Sequence, residues 1–316
     1  MPLRPPAGFI SAFYDPLNNP NAPTIGTATG GNVSASVAFT APDNVGGSAI
    51  TSYTAISSPG GFTGTASSSP ITVSGLTNGT AYTFTVFATN SYGPSAYSSS
   101  SNSVTPAVPV PALVSSQTAT HAAATSITIT APTSISSGNL LVAFIIHRDT
   151  TVGEKFTSVP SGWTTVSFTG SNNASLVMYY KTATGSEPAS YTWSGATVSR
   201  EGTGVIYNYS NASFDASSYP YKYQDTPPIT LTPVPSSLTV SANNAVVFFV
   251  AGSEDSGKSI SAPSGYSTSI SQLGGASQLG AMWVFYKTGV SAGSTGTPTT
   301  TLTTTGQGYV LLSVIK

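Results

Sequence analysis

Apolar side chains recur at every second position in short runs along this chain, and Gly, Pro, Asn and Ser separate the runs. In one run, Val33, Ala35, Val37 and Phe39 alternate with small or polar residues. Such alternation places the apolar residues on one face of a β-strand. No run sustains the spacing of three to four residues that an amphipathic helix requires. The pattern therefore predicts an all-β chain.

Residues 1–22 form an arm that proline interrupts repeatedly. Proline fixes the dihedral angle φ and removes a hydrogen-bond donor, so the arm is expected to be extended. Four of its residues are too apolar for a free linker: Phe9, Ile10, Phe13 and Tyr14. They are expected either to anchor the chain in a larger assembly or to fold back on the first domain.

Residues 23–106 are predicted to form one antiparallel β-sandwich, because five strand-like runs with turns between them fill this stretch. In one of these runs Tyr82, Phe84, Val86 and Ala88 share a face. The last run is SAYSSSSNSVTP, which begins at Ser95.

The stretch GLTNGTAYTFTVFATNSYGPS, which begins at Gly75, resembles the F-strand region of a fibronectin type III domain. Leu76 and Tyr82 stand where that family has its corner leucine and tyrosine, and Phe39 stands where it usually has a buried Trp. The continuation A-x-N-x-x-G-x-S is matched by three residues: Asn90, Gly93 and Ser95. The resemblance implies a spacer or an adhesive unit rather than a catalyst.

Residues 107–111 predict a stiff, proline-rich linker, and residues 112–316 show an internal duplication with halves at about 112–210 and 225–316. The turn PSGWTT recurs as PSGYST, and GNLLVAFII from Gly138 aligns with NNAVVFFVA from Asn243. Three aligned pairs are 103, 106 and 104 residues apart: Pro160 and Pro263, Lys181 and Lys287, Gly204 and Gly308. The halves are expected to form a β-sandwich or jelly-roll-like domain around a shared apolar interior. Whether they make one domain or two stays open.

Each copy of the repeated turn carries an aromatic residue after its glycine, Trp163 or Tyr266. This ring either plugs the open end of a sandwich or stacks on a sugar. The strands that end near Lys181 and Lys287 are apolar on both faces, which is expected of central strands. Both lysines are predicted to lie at the solvated rim.

Residues 112–316 also resemble a domain that recurs in tailed-bacteriophage virion proteins. Its pattern G-D-L-L-V-A, P-x-G-W-T and Y-K-x-A-x-G-x-E is met at Gly138–Ala143, Pro160–Thr164 and Tyr180–Glu187, with Asn139 in place of the Asp. The opening GFISAFYDPLNNPNAPTIGTAT resembles those of cyanophage structural proteins. These resemblances imply a virion component, bound to other virion proteins through its arm and present as a homo-oligomer or in many copies.

Charged residues make up only 6% of the chain, and none lies between Asp43 and Arg148. With a formal net charge of −1, the chain lacks the basic stripe that nucleic acids or anionic membranes require. It has no cysteines for disulfides. Its first residues are not expected to act as a signal peptide, because their apolar stretch is short and prolines interrupt it, and its longest apolar runs are too short to span a bilayer. We therefore expect no membrane insertion and a location on the virion surface.

Candidate chemistry is sparse. His121 and His147 do not show metal-ligand spacing, and His121 has no acidic neighbour. His147 lies beside Asp149 and is interpreted as a strand-end residue, with a Ser-His-Asp arrangement as the alternative, so no metal, cofactor or catalytic residue is expected. The loops HRDTTVGEK and SEDSGK occupy equivalent places in the two halves. They predict a polar or ion-contact site, with solvated loops as the alternative, at four residues: Arg148, Asp149, Glu254 and Asp255.

Between the halves, SYPYKYQD would project Tyr219, Tyr221 and Tyr223 to one side if it is extended. These rings suit contact with a glycan or a protein, or they cover a sheet edge. Together with the resemblance to virion proteins, these patterns predict a non-enzymatic phage surface protein for attachment to host polysaccharide or protein. Tail fibre, head fibre and capsid decoration stay open. The alternatives are a secreted bacterial carbohydrate-binding or adhesin module and, third, a glycan hydrolase.

Overall fold

Strands dominate the computed structural model of this chain, and the residues that it describes contain no helix. Those residues are 18–148, 156–170, 174–196, 199–215, 221–224, 230–231, 239–240, 244–253, 260–273, 281–294, 300–301 and 308–316. Within these ranges no helix is available to cross a membrane. The chain divides into two compact units, Met1–Pro109 and Val110–Lys316. The prediction of an all-β fold is confirmed.

The first unit is a two-sheet sandwich. Its strands are β1 (Thr24–Gly30), β2 (Ser34–Thr40), β3 (Ser52–Ser58), β4 (Thr63–Ala66), β5 (Ile71–Ser74), β6 (Thr83–Asn90) and β7 (Gly93–Pro94). One sheet has the order β1-β2-β5 and the other β4-β3-β6-β7. The two inner faces share one core, in which Val37, Phe84 and Val86 are buried. Phe39 packs its ring on Tyr53, with centroids 4.5 Å apart.

Alternation along β2 holds for Ala35, Val37 and Phe39, which all face the core. The prediction for Val33 is wrong, because this side chain is 47% exposed. Val33 lies in the turn before β2 and has a φ of 46°, so its position is set by the turn rather than by the pleat. Its backbone N–H donates to Oδ1 of Asn78 at 2.9 Å.

The segment after β7 is predicted as a strand but is held in another way. Three serines, spaced three residues apart, each form two hydrogen bonds with one residue of β6. The serine N–H donates to the carbonyl of that residue, and the serine Oγ accepts its N–H. The pairs are Ser95 with Ala88, Ser98 with Val86 and Ser101 with Phe84, with Oγ distances of 3.0 Å. We call these three serines the serine ladder. A spacing of three is typical of a polyproline II helix, whereas a strand repeats every two residues.

The first half of the second unit is built from seven strands. They are β8 (Ala112–Ala124), β9 (Ser126–Thr130), β10 (Leu140–Arg148), β11 (Thr164–Gly170), β12 (Ala174–Thr182), β13 (Ser190–Ser194) and β14 (Arg200–Ser210). Five of them form a sheet of order β11-β12-β10-β14-β8, and β9 pairs with β13. The β9-β13 pair covers one face of the large sheet through Ile127, Ile129 and Trp193.

The second half repeats this arrangement. Its strands are β15 (Tyr221–Gln224), β16 (Thr230–Leu231), β17 (Thr239–Val240), β18 (Ala245–Ser253), β19 (Ser267–Leu273), β20 (Ala281–Val290), β21 (Gly293–Ser294), β22 (Thr300–Thr301) and β23 (Gly308–Ile315). The large sheet has the order β15-β23-β18-β20-β19, with β17-β21 and β16-β22 as separate pairs. From β19 to β15 this is the order of the first half, strand for strand.

Strand pairing fixes which residues of the two halves are equivalent. In the first half, Leu141 of the central strand β10 pairs with Lys181 of β12 and with Asn208 of β14. In the second half, Val247 of the central strand β18 pairs with Lys287 of β20 and with Val314 of β23. Three equivalent pairs follow, each 106 residues apart: Leu141 and Val247, Lys181 and Lys287, Asn208 and Val314.

This register corrects two of the sequence alignments. The alignment of Gly138 with Asn243 is one residue out of place, and Gly308 is equivalent to Gly202 rather than to Gly204. A slip of one residue exchanges the two faces of a strand. The central strands are apolar on both faces, so their sequences did not reveal the slip.

The two large sheets pack face to face and bury a shared core. Phe144 of β10 and Phe248 of β18 meet there, with ring centroids 5.4 Å apart. The core also includes Leu140, Val142, Tyr207, Val246, Val250 and Leu311. Since each large sheet also buries its outer face, the second unit has four layers rather than two.

Two of the contacts between the large sheets are reciprocal. β12 lies against β23, and β14 lies against β20. Because β12 is equivalent to β20 and β14 to β23, the two contacts are images of each other.

Candidate functional site

The predicted anchor and loop residues lie mostly outside the described residues. This applies to Phe9, Ile10, Phe13, Tyr14, Asp149, Glu254 and Asp255. Arg148 is the last residue of β10 and pairs with Ala174 of β12. The predicted polar site that joins Arg148 to the three acids therefore stays a prediction.

The three predicted contact tyrosines are also only partly described. Tyr219 lies outside the described residues. Tyr221 and Tyr223 belong to β15, which is the edge strand of the second large sheet, and pair with Leu311 and Tyr309 of β23. Their predicted role in glycan or protein contact stays a prediction.

The chain's two histidines lie together inside the first half. His121 of β8 and His147 of β10 flank Gly202 of β14 in one row, and their rings stack with centroids 5.7 Å apart. A Cβ at Gly202 would overlap Nε2 of His121, so glycine makes room for the rings. Burial lowers the pKa of His121 and the neighbouring His147 lowers it further, against the opposing effect of Glu201. These effects favour the uncharged form of the His121 ring.

Metal binding finds no support in the part of the chain that the structure describes. There, no three His, Asp or Glu side chains are grouped so that they could hold a metal ion. The sequence contains no cysteine that could add a thiolate ligand.

Lys181 is not the solvated rim residue that was predicted. Its Nζ lies 2.6 Å from Oε2 of Glu187, and the two side chains are only 11% and 4% exposed. The hydroxyl of Tyr191 donates to the same oxygen at 2.6 Å, and Thr184 donates its N–H to Oε1 at 2.8 Å. Burial alone would raise the pKa of Glu187, but the hydrogen bonds from Lys181, Tyr191 and Thr184 outweigh it and lower the pKa to about 2. The carboxylate of Glu187 is therefore fully hydrogen-bonded by its neighbours, and these bonds connect the end of β12, at Lys181, to Tyr191 of β13.

The repeated turn has the same geometry in both halves. The N–H of Trp163 donates to the carbonyl of Pro160 at 3.2 Å, and that of Tyr266 donates to Pro263 at 3.0 Å. The intervening glycines, Gly162 and Gly265, have φ values of 81° and 80°, which other residues rarely adopt.

The aromatic residues after these turns belong to the outer cores. Trp163 is 8% exposed and packs on Tyr191 and Trp193, with ring centroids 5.1 and 5.2 Å away. Tyr266 packs edge-on against Phe249, and burial raises the pKa of Tyr266 to about 12. These contacts fit the interpretation of the rings as plugs.

The most exposed aromatic side chain of the described residues lies on the first unit and was missed by the sequence analysis. Tyr97 is 60% exposed and stands between Ser95 and Ser98 of the serine ladder. Its ring meets that of Phe87 edge-on, with centroids 5.5 Å apart and an interplanar angle of 85°. The usable signal was an aromatic residue in a serine-rich segment that lacks alternating apolar partners.

Tyr97 and Phe87 continue a row of hydroxyl side chains across the outer face of the sheet. Pairing places Phe87 of β6 opposite Thr54 of β3, and Thr54 opposite Thr65 of β4. Oγ1 of Thr54 and Oγ1 of Thr65 are 3.2 Å apart. We call these four residues the Tyr97 row. The row is uncharged, and Asp43 is the only charged residue in the sequence from 18 to 109.

Residues 20–104 match the fibronectin type III family. Since they also form a sandwich with sheets of three and four strands, this part of the chain is a fibronectin type III domain. The motif residues have structural roles here. The hydroxyl of Tyr82 accepts the N–H of Thr77 at 3.1 Å, and Nδ2 of Asn90 donates to the carbonyls of Asn18 and Val45.

Several solved structures align with the chain at low similarity. The FN1–FN3 domains of chicken CNTN1 are 12% identical over 87% of this chain and 90% of that one, with a TM-score of 0.26. The twitchin kinase region from C. elegans is 23% identical over 28% of this chain and 17% of that one, with a TM-score of 0.26. Chitinase ChiA74 from Bacillus thuringiensis is 18% identical over 58% and 26% of the two chains, with a TM-score of 0.22.

The chain spans well under half the length of the first two kinase-region structures that it matches, 17% and 37%. No curated protein sequence matches it. The assignment of the first domain therefore rests on the family match and on the sandwich itself.

Proposed function

We propose that this chain is a non-enzymatic attachment protein on the surface of a tailed-phage particle. In this proposal the arm binds other virion proteins, the fibronectin type III domain is a spacer or adhesive unit, and the second unit is the displayed head. The support is the resemblance of three segments between Gly138 and Glu187 to virion proteins, together with the scarcity of charge. Many copies with weak individual sites would bind a host surface through avidity.

The packing of the head is the observation that carries a display role. Each large sheet packs its inner face in the shared core and its outer face against the rest of its own half, so the head presents strand edges, loops and the outer faces of covering strands such as β9 and β13 to a partner. The close Lys181–Glu187 pair is occupied by its own neighbours, as expected of a structural contact. A scaffold of this kind is rigid and suits multivalent presentation.

Immunogold electron microscopy of particles purified from the natural source tests the placement. Antibodies are raised separately against residues 20–104 and 112–316, and pre-immune serum is the control. Both antibodies are expected to label the surface of intact particles. Label confined to the cell envelope would favour the secreted bacterial adhesin, and label only in the soluble fraction would refute a virion role.

A hydrolase would behave differently. If the full chain releases reducing sugar from polysaccharide, and substitution of Asp149 and Glu154 or of Glu254 and Asp255 abolishes this release, the proposal of a non-enzymatic protein fails.

The head contact is tested on its own. Wild-type protein and a Tyr219→Ala, Tyr221→Ala, Tyr223→Ala variant are compared on a glycan array. A weaker signal from the variant is expected, and equal signals would remove these tyrosines from the proposal.

A further inference from the structure

We infer that the Tyr97 row of the fibronectin type III domain is a binding surface for a neutral polysaccharide. The inference deepens the attachment role proposed above and rests on it. It assigns a second contact surface, separate in the sequence from the tyrosines between the two halves.

The ring of Tyr97 is exposed but its backbone is fixed. Ser95 precedes Tyr97 in the chain and Ser98 follows it, and each of these serines makes two hydrogen bonds to β6. Phe87 supports the ring from one side. An amphipathic ring on a backbone that is already ordered loses little conformational freedom on binding. This is the property that distinguishes a contact residue from an exposed side chain on a mobile loop.

The chemistry of the row matches a sugar chain. The rings of Tyr97 and Phe87 offer apolar surface to the C–H groups of a pyranose, and the hydroxyls of Thr54 and Thr65 offer donors and acceptors to its O–H groups. Neighbouring strands are about 4.8 Å apart, so the part of the row from Phe87 to Thr65 extends about 10 Å. That length accommodates more than one sugar ring.

The absence of charge selects among partner classes. From residue 44 to residue 109 the sequence contains no Asp, Glu, Lys or Arg. An anionic glycan or a nucleic acid would find no cation on this stretch, and charged groups of a protein partner would lose water without gaining an ion pair. A neutral polysaccharide carries no charge that must be compensated. The hydroxyls of the row match the O–H groups of a sugar, its rings match the C–H groups, and neither partner carries charge. These features therefore favour a neutral glycan over a protein.

Affinity electrophoresis of the full chain tests the inference. Native gels contain one of three neutral polysaccharides, laminarin, dextran or mannan, or one of two anionic ones, alginate or heparin. At least one neutral polysaccharide is expected to retard the protein, and the anionic ones are expected not to. A pull-down with the same neutral polysaccharide should be unchanged at about 1 M salt, where charge interactions are screened within about 3 Å.

Three variants locate the surface. Tyr97→Ala is expected to weaken binding about tenfold or more, as loss of an aromatic anchor does. Thr54→Val removes a hydroxyl without changing the shape and should weaken binding to a smaller extent. Tyr92→Ala is the matched control, because Tyr92 is also exposed, at 48%, but lies in the turn beyond β6. Unchanged melting temperatures of all three variants exclude misfolding.

Three outcomes overturn the inference. Retardation of Tyr97→Ala equal to that of the wild type removes the row as the site. Retardation by alginate or heparin alone refutes the charge argument. A wild-type protein that no neutral polysaccharide retards refutes glycan binding and leaves a protein as the partner class. None of these results alters the immunogold result, so failure of the inference and failure of the proposed virion role are distinguishable.

Discussion

Two equivalent lysines in the second unit have different surroundings. Lys181 is largely but not fully buried beside Glu187, whereas Lys287 is exposed at the same strand position. The first half supplies a carboxylate six residues after its lysine in YKTATGSE, and the second half continues as YKTGVSAG without one. The sequence motif was visible, but its role was not, because only the turn after β12 shows that these six residues bring the two charges together.

Substitution of these two lysines should affect the stability of the protein to very different extents. Lys181→Met leaves the carboxylate of Glu187 buried without its cation, and we expect it to lower the free energy of unfolding by about 3 kcal/mol. Lys287→Met is the matched control and should change it by less than about 0.5 kcal/mol. Urea unfolding of the full chain measures both values. Equal effects from the two substitutions would show that the buried ion pair does not stabilise the first half.

The same cluster predicts acid sensitivity. The pKa of Glu187 is about 2 in the folded protein and 4.5 ordinarily, so the unfolded state binds more protons between these pH values. The stabilisation is therefore complete above about pH 4.5 and is lost as the pH falls through about 2. The variant Glu187→Gln lacks this titration. Its difference from the wild type in free energy of unfolding should shrink steadily as the pH falls from about 5 to about 2, and a constant difference would contradict the assignment.

At the scale of elements, patterns with a period of two were predicted well and other patterns were not. The strands of the fibronectin type III domain follow alternation, as in β6, where every second residue is buried. The serine ladder does not, because its three-residue repeat of Ser95, Ser98 and Ser101 carries no apolar signal. The sequence alignment of β10 with its equivalent strand β18 was wrong by one residue for a related reason. Strands that are apolar on both faces can be aligned equally well with or without a shift of one residue. The same limit hid Tyr97, whose exposure follows from the ladder.

The serine ladder should contribute measurably to the stability of this domain. In Ser98→Ala the backbone N–H of Val86 loses its acceptor, and an unpaired buried N–H costs about 1–3 kcal/mol. The control is Ser99→Ala, an exposed neighbour whose side chain stands outside the ladder, with an expected change below about 0.5 kcal/mol. Hydrogen exchange of the Val86 amide gives a direct second measurement. Protection of that amide in Ser98→Ala at the wild-type level would exclude the ladder as its partner.

At the scale of the whole molecule, the two units represent two ways to build a β-domain. The first closes two sheets around one core. The second unit packs two sandwiches against each other. Each large sheet therefore has one face in the shared core and the other face in the core of its own half. The duplication was evident in the sequence because the turn PSGWTT and the lysine-ended strand recur. The four layers were not evident in the sequence. A strand that is apolar on both faces has the same composition whether a given face packs on strands of its own half or on the other half.

The shared core should make the two halves of the second unit unfold together. Phe248 belongs to the second half, yet its ring packs on Phe144, Tyr207 and Tyr209 of the first, with centroids 5.4, 5.7 and 5.8 Å away. Phe248→Ala should cost about 3–5 kcal/mol, the usual range for a buried phenylalanine. Because the missing contacts are those between the halves, hydrogen exchange should accelerate in β10 and β14 as much as in β18.

The matched control is Phe84→Ala, which removes an equally buried ring from the fibronectin type III domain. It should destabilise that domain by a similar amount and leave exchange in β10, β14 and β18 unchanged, because the two units have separate cores. If Phe248→Ala accelerates exchange in β18 alone, the halves fold independently and the shared core is a weak contact between two finished domains. If all three strands respond together, the second unit is one cooperative domain, and a rigid head of this size can present its edges to a partner without separating into halves.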